Sequence, residues 1–558
     1  MNLPRLQSMF SAASVFEQFP GNGGDRLFRM EISDPERRAK LRDRLTANGY
    51  ELIFENRFEA VTFTVWQGEE ETVYLAEGPE NRLRAVATGE RWAPPSETPY
   101  RKVAEPLVTQ PRGLYCKADC GMVYLIRLSD GRFVLIDSGL GEYEETAHLR
   151  SLLRSQNVLP GKPVIAAWFI THRHDDHFRG FEQFMGRYAD EIVLERLIYS
   201  WPDPCMIRKA SASGEFDRIA ASLPAETVVT PHAGQRFCFA DAVFDVLFTC
   251  EDLYPAFVKN LNDTSTVLRM ELGAHRAMWL GDAQKQCADL LCARYPAADL
   301  AADVLQVAHH GYWGGSQELY RRIDPEILLW PCPDFWYHEA VGWNENQPLV
   351  TSRNVRAVYL SGNEEVTLPF AQSDLACYHA LPAFDPPVIL REDFSGTEVR
   401  DLAWACVSGG KTGYVPPELD MSLPGEVRVT AGDACGVVTF LRQGLLDRPE
   451  GYTLTLEGRT GEVGEIGLLW NDPHPTVPDP EKILPLPLAG KKTFSLLLAV
   501  DPGKEVALLR LNGGRARKIS FTPQKNCGLH LVLKNSEVFL QKILVVAGIG
   551  RSAPDFEK

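Results

Sequence analysis

Residues 172–177 place three imidazoles and two carboxylates in six positions, with the sequence His-Arg-His-Asp-Asp-His. The apolar run that precedes them, Pro-Val-Ile-Ala-Ala-Trp-Phe-Ile at 163–170, has the composition of a buried strand. Open α/β sheets bind ligands at such strand ends. His172 and His174 can face one cation, while Asp176 and His177 can serve a second close by. These donors suit zinc first, with iron or manganese possible, whereas a solvated turn would not explain the apolar strand.

Two later strand ends carry further candidate ligands. Asp282 closes Trp-Leu-Gly-Asp at 279–282, where it can either bridge two metals or cap a helix. His309 and His310 follow the β-like run 304–308 and precede a glycine. Adjacent histidines there favour one metal ligand, with the other orienting it or donating a proton.

Length and composition restrict the classes of protein that fit. A chain of 558 residues suggests about three or four domains. The net charge of −16 argues against a general nucleic-acid binder, although Arg173, Arg179 and Arg187 could form a local basic groove. No apolar stretch is long enough to span a bilayer, and the N-terminus makes a poor signal peptide. We therefore expect a cytoplasmic protein without membrane contacts.

The patterning along the chain predicts three domains. Residues 1–105 form a small α+β module with a helix capped by Ser33, and this module lacks histidine. Residues 106–384 alternate strands and helices, including helices at about 144–155, 181–188 and 283–295. Residues 385–558 show only short strands separated by Gly, Pro, Asp and Asn, which predicts an antiparallel β-sandwich of jelly-roll type.

The motifs together resemble those of the metallo-β-lactamase superfamily. The pattern His-x-His-x-Asp-His at 172–177 is similar to its signature, and Asp137 in Ile-Asp-Ser-Gly matches its preceding motif. Asp282 stands where the family has a bridging Asp, and the pair 309–310 stands where it has its last His. The resemblance covers about 110–335. It implies an αββα sandwich, with two mixed sheets face to face and helices outside.

One departure from the family concerns the first metal. The family usually supplies another His some 20 to 30 residues before the bridging Asp, and neither His232 nor His275 fits that spacing. Asn262-Asp263-Thr-Ser stands there instead. With Gly-Asp and His-His-Gly, this pattern resembles the branch that contains the hydrolase domain of competence DNA-uptake channels and bacterial phosphorylcholine esterases. Substrates in that branch are phosphodiesters.

The resemblance implies a role for each candidate residue. His172 and His174 would bind one zinc ion, helped by Asn262 or water. The second zinc would take Asp176, His177 and one of the pair His309 and His310, of which we prefer His310, while His309 faces the substrate. Asp282 would lie between the metals. Asp137, Asn262 and Asp263 would support the ligands from behind.

The implied activity is that of a dinuclear zinc hydrolase acting through a metal-bound hydroxide, with Asp176, Asp282 and His309 as catalytic residues. A phosphodiester or related phosphoester is the expected substrate. Hydrolysis of a carboxylic ester, lactone, thioester or lactam is one alternative, and a non-catalytic binding protein with a degenerate metal site is another. The C-terminal sandwich could bind a carbohydrate or protein partner. The aromatic residues Tyr312, Trp313 and Tyr337 could either line the substrate pocket or pack against another domain.

Overall fold

The protein is described from a computed structural model. The structure describes residues 9, 15–20, 26–32, 34–78, 82–93, 99–113, 121–207, 213–254, 258–332, 336–337, 340, 342–352, 354–355, 357–362, 365–373, 375, 388–392, 394, 405–406, 417–420, 422–441, 450–471, 480–524 and 527–548. The chain forms two compact units, Met1–Pro325 with Glu365–Leu375, and Glu326–Glu364 with Ala376–Lys558. The three-domain division at 105 and 384 stays a prediction. Among the described residues, no helix is long and apolar enough to cross a membrane.

The first unit begins with an antiparallel sheet that packs against one helix, Pro35–Ala47. Ser33 lies outside the described residues. The prediction that Ser33 caps the helix is wrong, because the cap is Asp34, whose Oδ1 accepts a hydrogen bond from the backbone N–H of Glu36 at 2.9 Å. Adjacent strands of the sheet are, in order, Val15–Pro20, Arg26–Glu31, Arg82–Thr88, Thr72–Glu77, Thr62–Gln67 and Glu51–Arg57.

Buried charges join this sheet to the remainder of the first unit. Asp245 is fully buried and accepts hydrogen bonds from Asn56 at 2.9 Å and from Arg269 at 2.8 Å. Arg84, on the N-terminal sheet, forms an ion pair with the buried Asp252. Because a buried charge is costly without its partner, these contacts fix the N-terminal sheet in place.

A mixed sheet carries the strand that precedes the His-rich cluster. That strand, Val164–Ile170, pairs in parallel with Phe133–Asp137 and Leu197–Tyr199, and its buried aliphatic and aromatic side chains are typical of a central parallel strand. The sheet order is Val228–Val229, Leu197–Tyr199, Val164–Ile170, Phe133–Asp137, Val123–Arg127, Leu107–Gln110 and Val366–Pro369, and Val193–Leu194 also pairs with Val164–Ile170.

A second run of strands ends at the other candidate ligands. In order of pairing these strands are Arg236–Phe239, Ala242–Phe248, Val267–Leu272, His275–Trp279 and Val304–Gln306, of which only the last pair is parallel. Rings of the two sheets touch, with Tyr124 4.8 Å from Trp279 and Phe169 5.4 Å from Phe244 between centroids. The complete αββα arrangement stays a prediction.

Helices alternate with these strands, as expected for an α/β unit. They are Tyr143–Gln156, Asp175–Tyr188, Gly214–Ser222, Lys285–Arg294, Ala297–Leu300 and Gln317–Ile323. The helix expected at 181–188 begins six residues earlier, at Asp175. The first turn of a helix favours carboxylates because backbone N–H groups and the helix dipole point there, so the two acidic residues start the helix. Asp176 and His177 are therefore helical residues.

The second unit is mostly antiparallel β-structure, as the sequence predicts. One sheet has the order Glu418–Asp420, Val427–Ala431, Ser536–Ala547, Tyr452–Thr460, Thr493–Asp501, Val506–Leu511 and Arg517–Ser520, with Val388–Glu392 also paired to Ser536–Ala547. The other contains Ala405–Cys406, Gly436–Leu441, Leu529–Lys534, Glu465–Leu469 and Leu484–Pro485. Alternating Leu and Val side chains of both sheets share one core. The jelly-roll type stays a prediction.

This unit also contains a short parallel pair, Ile327–Trp330 with Ala357–Leu360, and the helix Gln347–Thr351. Tyr337 is buried, and its ring lies 4.9 Å from that of Trp330. Tyr337 thus packs against a residue of its own unit, and packing against another domain stays a prediction.

Candidate metal centre

The turn after Val164–Ile170 presents two imidazoles to each other. His172 is fully buried and His174 is partly exposed. Nε2 of His172 lies 3.0 Å from Nδ1 of His174. Nε2 of His172 and Nδ1 of His174 are thus the atoms that can share a cation.

The first turn of the following helix supplies the next pair. Asp176 and His177 are buried, whereas Asp175 is exposed to solvent. Nε2 of His177 lies 3.4 Å from Oδ2 of Asp176. The helix therefore turns one carboxylate inward and leaves its neighbour outside.

The adjacent histidines 309 and 310 occupy different positions. Both have positive φ, 50° for His309 and 54° for His310, which is a costly backbone for residues other than glycine. Nε2 of His310 lies 3.0 Å from Oδ2 of Asp176. His309 is more exposed, and its Nε2 is 4.0 Å from Oδ2 of Asp282. The strained turn thus directs His310 to Asp176 and leaves His309 at the edge.

Asp282 lies between the two pairs of ligands. Its Oδ1 is 3.2 Å from Nε2 of His177, and its Oδ2 is 3.7 Å from Nε2 of His172. The nitrogen and oxygen atoms form two groups, each with all its atoms within 4.8 Å of one another: Asp176, His177, Asp282 and His310, and His172, His174 and Asp282. Asp282 is the residue common to both groups.

The donor set fits metal ions. Within the described part of the chain, the buried atoms His177 Nε2 and Asp282 Oδ1 make no hydrogen bond, although they lie close together. Once Nε2 of His177 loses its proton, two buried acceptors face each other at 3.2 Å, which is costly, and a cation would satisfy both atoms. Imidazole and carboxylate donors suit zinc, manganese or iron. The buried groups can therefore hold metal.

Neighbouring charges shift the pKa values of the second group strongly. Burial lowers the pKa of His310, but Asp282 and Asp176 outweigh it and raise the pKa to about 9. Burial also lowers the pKa of His177, but Asp282 and Asp176 outweigh it and raise this pKa well above its ordinary value. Without metal, these imidazoles therefore carry protons that a metal ion has to displace.

The pKa values of His172 and His309 shift in the opposite direction. Burial lowers the pKa of His172 well below its ordinary value and also lowers the pKa of His309. Burial raises the pKa values of Asp176 and Asp282, but His177 and the other nearby imidazoles more than compensate and hold both pKa values below the ordinary range. The site therefore offers ionised carboxylates and, at His172 and His309, neutral rings.

Asp137 forms hydrogen bonds with residues of this cluster. It is fully buried with a φ of 56°. Its Oδ1 accepts the backbone N–H of Thr171 at 2.7 Å, and its Oδ2 lies 2.8 Å from Nδ1 of His177. Asp137 thereby holds both the ligand turn and one ligand ring.

Asn262 and Asp263 occupy distinct places near Asp282. The Asn262 amide lies 3.0 Å from Nε2 of His309. Asp263 accepts the backbone N–H groups of Gln284 at 3.1 Å and Cys287 at 3.0 Å, so it caps the helix that follows Asp282. The structure thus places Asn262 beside a candidate catalytic ring and Asp263 at a helix start.

Gln306 joins two of the turns that carry candidate ligands, although it belongs to none of the sequence motifs. Its Oε1 accepts the backbone N–H groups of Leu280 and Gly281, both at 2.7 Å. Its Nε2 donates to the carbonyl oxygens of Gly281 at 2.9 Å and Val307 at 2.8 Å. One buried amide therefore joins the turn of Asp282 to the turn of His309 and His310. The only signal in the sequence is a polar residue inside a buried strand.

Two of the arginines predicted to form a basic groove, Arg173 and Arg187, contact aromatic rings and hydroxyl groups of the protein. The guanidinium of Arg173 lies 4.9 Å from the Trp201 ring and also bonds to Ser213. Arg187 lies over the Tyr143 ring and donates to Thr146 at 2.9 Å. These contacts hold both side chains against the protein.

A family model matches the part of the chain that contains the ligand groups. Residues 120–331 match the metallo-beta-lactamase superfamily. The matched segment contains every residue of both ligand groups, and it suggests a hydrolase. Within the matched segment, the buried His and Asp residues could hold a metal ion.

Other similarities are weak. No curated protein matches the chain. A Bacillus subtilis protein of unknown function with a galectin-like fold shares 11% identity, covering 29% of this chain and 97% of that chain, with a TM-score of 0.21. Bacillus licheniformis beta-glucanase shares 11% identity over 28% of this chain and 97% of that chain, also with a TM-score of 0.21. Griffonia simplicifolia lectin I-B4 shares 8% identity over 24% of this chain and 92% of that chain, with a TM-score of 0.17. These scores are too low to indicate a function.

Proposed function

We propose that this protein is a hydrolase that uses two metal ions, zinc first, with manganese or iron as alternatives. His172, His174 and Asp282 would hold the first ion, and Asp176, His177, His310 and Asp282 the second. The observation that carries the proposal is the position of Asp282, whose two oxygen atoms face different imidazoles at 3.2 and 3.7 Å. Bound metals in such sites supply Lewis acidity and lower the pKa of water.

His309 is the residue that we assign to proton transfer with substrate. Burial lowers its pKa, so its ring is neutral near pH 7 and can accept a proton. Nδ1 of His309 donates to the carbonyl oxygen of Tyr312, and the side-chain amide of Asn262 lies 3.0 Å from Nε2, so these two contacts fix the orientation of the ring and leave the lone pair on Nε2. Its partial exposure leaves it accessible to a substrate.

A phosphodiester or related phosphoester is the substrate class that we propose. Two-metal sites can stabilise both the attacking and the leaving oxygen at phosphorus. In the described residues, the first ligand group has two imidazoles and Asp282, which agrees with the phosphodiesterase-like motif pattern around Asn262. We assign the C-terminal β-strands to an accessory domain for a carbohydrate or protein partner.

Turnover of bis-p-nitrophenyl phosphate, compared with p-nitrophenyl acetate and a lactam, tests this assignment. We expect phosphodiester turnover that is lost on chelation and restored by zinc or manganese. The exposed Asp175 provides a matched control. Asp176→Asn should abolish turnover, whereas Asp175→Asn should retain it. Turnover of the carboxylic ester or lactam alone would contradict the substrate class, and no metal-dependent turnover of any substrate would contradict the hydrolase.

A further inference from the structure

The Asp137 carboxylate serves two ligand histidines by different routes. Its Oδ2 accepts a hydrogen bond from Nδ1 of His177 at 2.8 Å. The same oxygen accepts the hydroxyl of Thr171 at 2.8 Å. The Thr171 oxygen in turn lies 3.2 Å from Nδ1 of His172. Asp137 therefore contacts a ligand of the second group directly and a ligand of the first group through Thr171.

The hydrogen bonds of Thr171 determine which ring nitrogen of His172 carries the lone pair. A threonine hydroxyl has one proton, and here Asp137 receives it. The lone pairs of the Thr171 oxygen can then only accept, so Nδ1 of His172 carries the proton that it donates to Thr171. This leaves the lone pair of His172 on Nε2, the atom that faces Asp282. The hydroxyl thus fixes the tautomer that a metal requires.

The Thr171 side chain is held in this orientation by its surroundings. Gly281 has a φ of 55°, and a Cβ placed there would lie 2.9 Å from both Cβ and Oγ1 of Thr171. The carbonyl of Thr171 accepts the N–H of Thr266 at 2.9 Å. The close approach of Gly281 keeps the hydroxyl between Asp137 and His172.

We infer that Thr171 is a positioning residue for the first metal group, through the hydrogen-bonded path from Asp137 to His172. This inference rests on the two-metal centre proposed above. Removing the hydroxyl should weaken the first site, because His172 loses its orienting acceptor. The second site should be affected much less, because Nδ1 of His177 donates directly to Asp137 at 2.8 Å, whereas its contact with the Thr171 oxygen is longer, at 3.5 Å.

Titration of the metal-free, full-length protein with Co²⁺ tests the inference by measuring the dissociation constants of both sites. The proteins to compare are wild type, Thr171→Val and Thr171→Ser. Valine has the shape of threonine without the hydroxyl, and serine retains the hydroxyl. In Thr171→Val, we expect the dissociation constant of the first site to rise about 10- to 100-fold, while the second stays within about twofold of wild type. Thr171→Ser should bind at both sites nearly as wild type does.

The hyperfine-shifted proton spectrum of the Co²⁺ protein provides a readout that does not depend on activity. Wild type and Thr171→Ser should show an exchangeable Nδ1–H signal from His172 that Thr171→Val loses, while the His177 signal remains. Unchanged affinities and spectra in Thr171→Val, or equal losses in the valine and serine variants, would overturn the inference and leave the two-metal centre standing. Binding of fewer than two Co²⁺ by wild type would overturn both.

Discussion

Nε2 of His310 lies 3.0 Å from Oδ2 of Asp176, although 134 residues separate them in the chain. Asp176 follows the strand Val164–Ile170, and His310 follows Val304–Gln306. The second ligand group therefore forms only when strands from both sheets are in place, which ties metal binding to the folded state.

The different contacts of the adjacent histidines predict different losses on mutation. His310→Ala should lose one metal equivalent, because His310 contacts Asp176 in the second group. His309→Ala should retain both metals but lower kcat about 100-fold or more, since it removes a group assigned to proton transfer. Inductively coupled plasma mass spectrometry and steady-state kinetics measure the two effects. Loss of metal in His309→Ala with full metal content in His310→Ala would reverse the assignment.

The raised pKa of His310 predicts how the stability of the metal-free protein depends on pH. Folding raises this pKa from 6.5 to about 9, so the folded state binds the proton more tightly than the unfolded state. The stabilisation is fully present below pH 6.5 and is lost as pH rises through about 9. The Tm of the metal-free protein should fall across this range in differential scanning calorimetry.

Metal loading and mutation provide the controls for that pH dependence. In the zinc-loaded protein, the metal replaces the proton, so the decline in Tm over the same range should be smaller. His310→Gln should flatten the decline in the metal-free protein. A Tm of the metal-free wild type that rises between pH 6.5 and 9 would contradict the charged state of the site.

Gln306→Glu should release the turn of Asp282. The substitution keeps the shape, but a carboxylate cannot donate to the carbonyl oxygens of Gly281 and Val307. Burying the unpaired charge should cost about 3–5 kcal/mol in the free energy of unfolding and reduce metal content. Urea unfolding and metal analysis measure both, with the exposed Gln372→Glu as a control. A stable Gln306→Glu protein with full metal content would show that the amide is dispensable.

Trp313 should contribute to the choice of substrate. It is 61% exposed and has a φ of 52°, three residues after His310. Because this exposed indole lies in a strained backbone and close in sequence to the candidate ligand His310, we expect it to contact a ring of the substrate. Trp313→Ala should lower kcat/KM for aryl phosphodiesters about tenfold and leave dialkyl ones nearly unchanged. Tyr143→Ala, at an equally exposed aromatic residue, should affect neither. Equal losses on both substrate classes would exclude ring recognition.

Much of the fold and of the candidate site was predictable because local patterns determine it. The strand Val164–Ile170 lies within the apolar run 163–170, and short strands appear near the C-terminus as expected. Asp282 and the histidine pair were predictable because each follows an apolar run that must end at a sheet edge.

The remaining features depend on tertiary contacts. The distinction between His309 and His310 results from backbone strain in the turn, which two identical side chains cannot reveal. Gln306 and Thr171 act through hydrogen bonds to residues far away in the chain, so neither carries a local motif. The helix start at Asp175 was missed because a cluster rich in His and Asp has weak helix propensity, while its carboxylates favour the first turn.

Anomalous X-ray diffraction at the zinc edge, on crystals of the full-length zinc-loaded protein, tests the central claim most directly. We expect two peaks on opposite sides of the Asp282 carboxylate. One should lie among His172 Nε2, His174 Nδ1 and Asp282 Oδ2, and the other among the atoms of Asp176, His177 and His310 with Asp282 Oδ1. A single peak, or peaks away from Asp282, would contradict the two-metal centre.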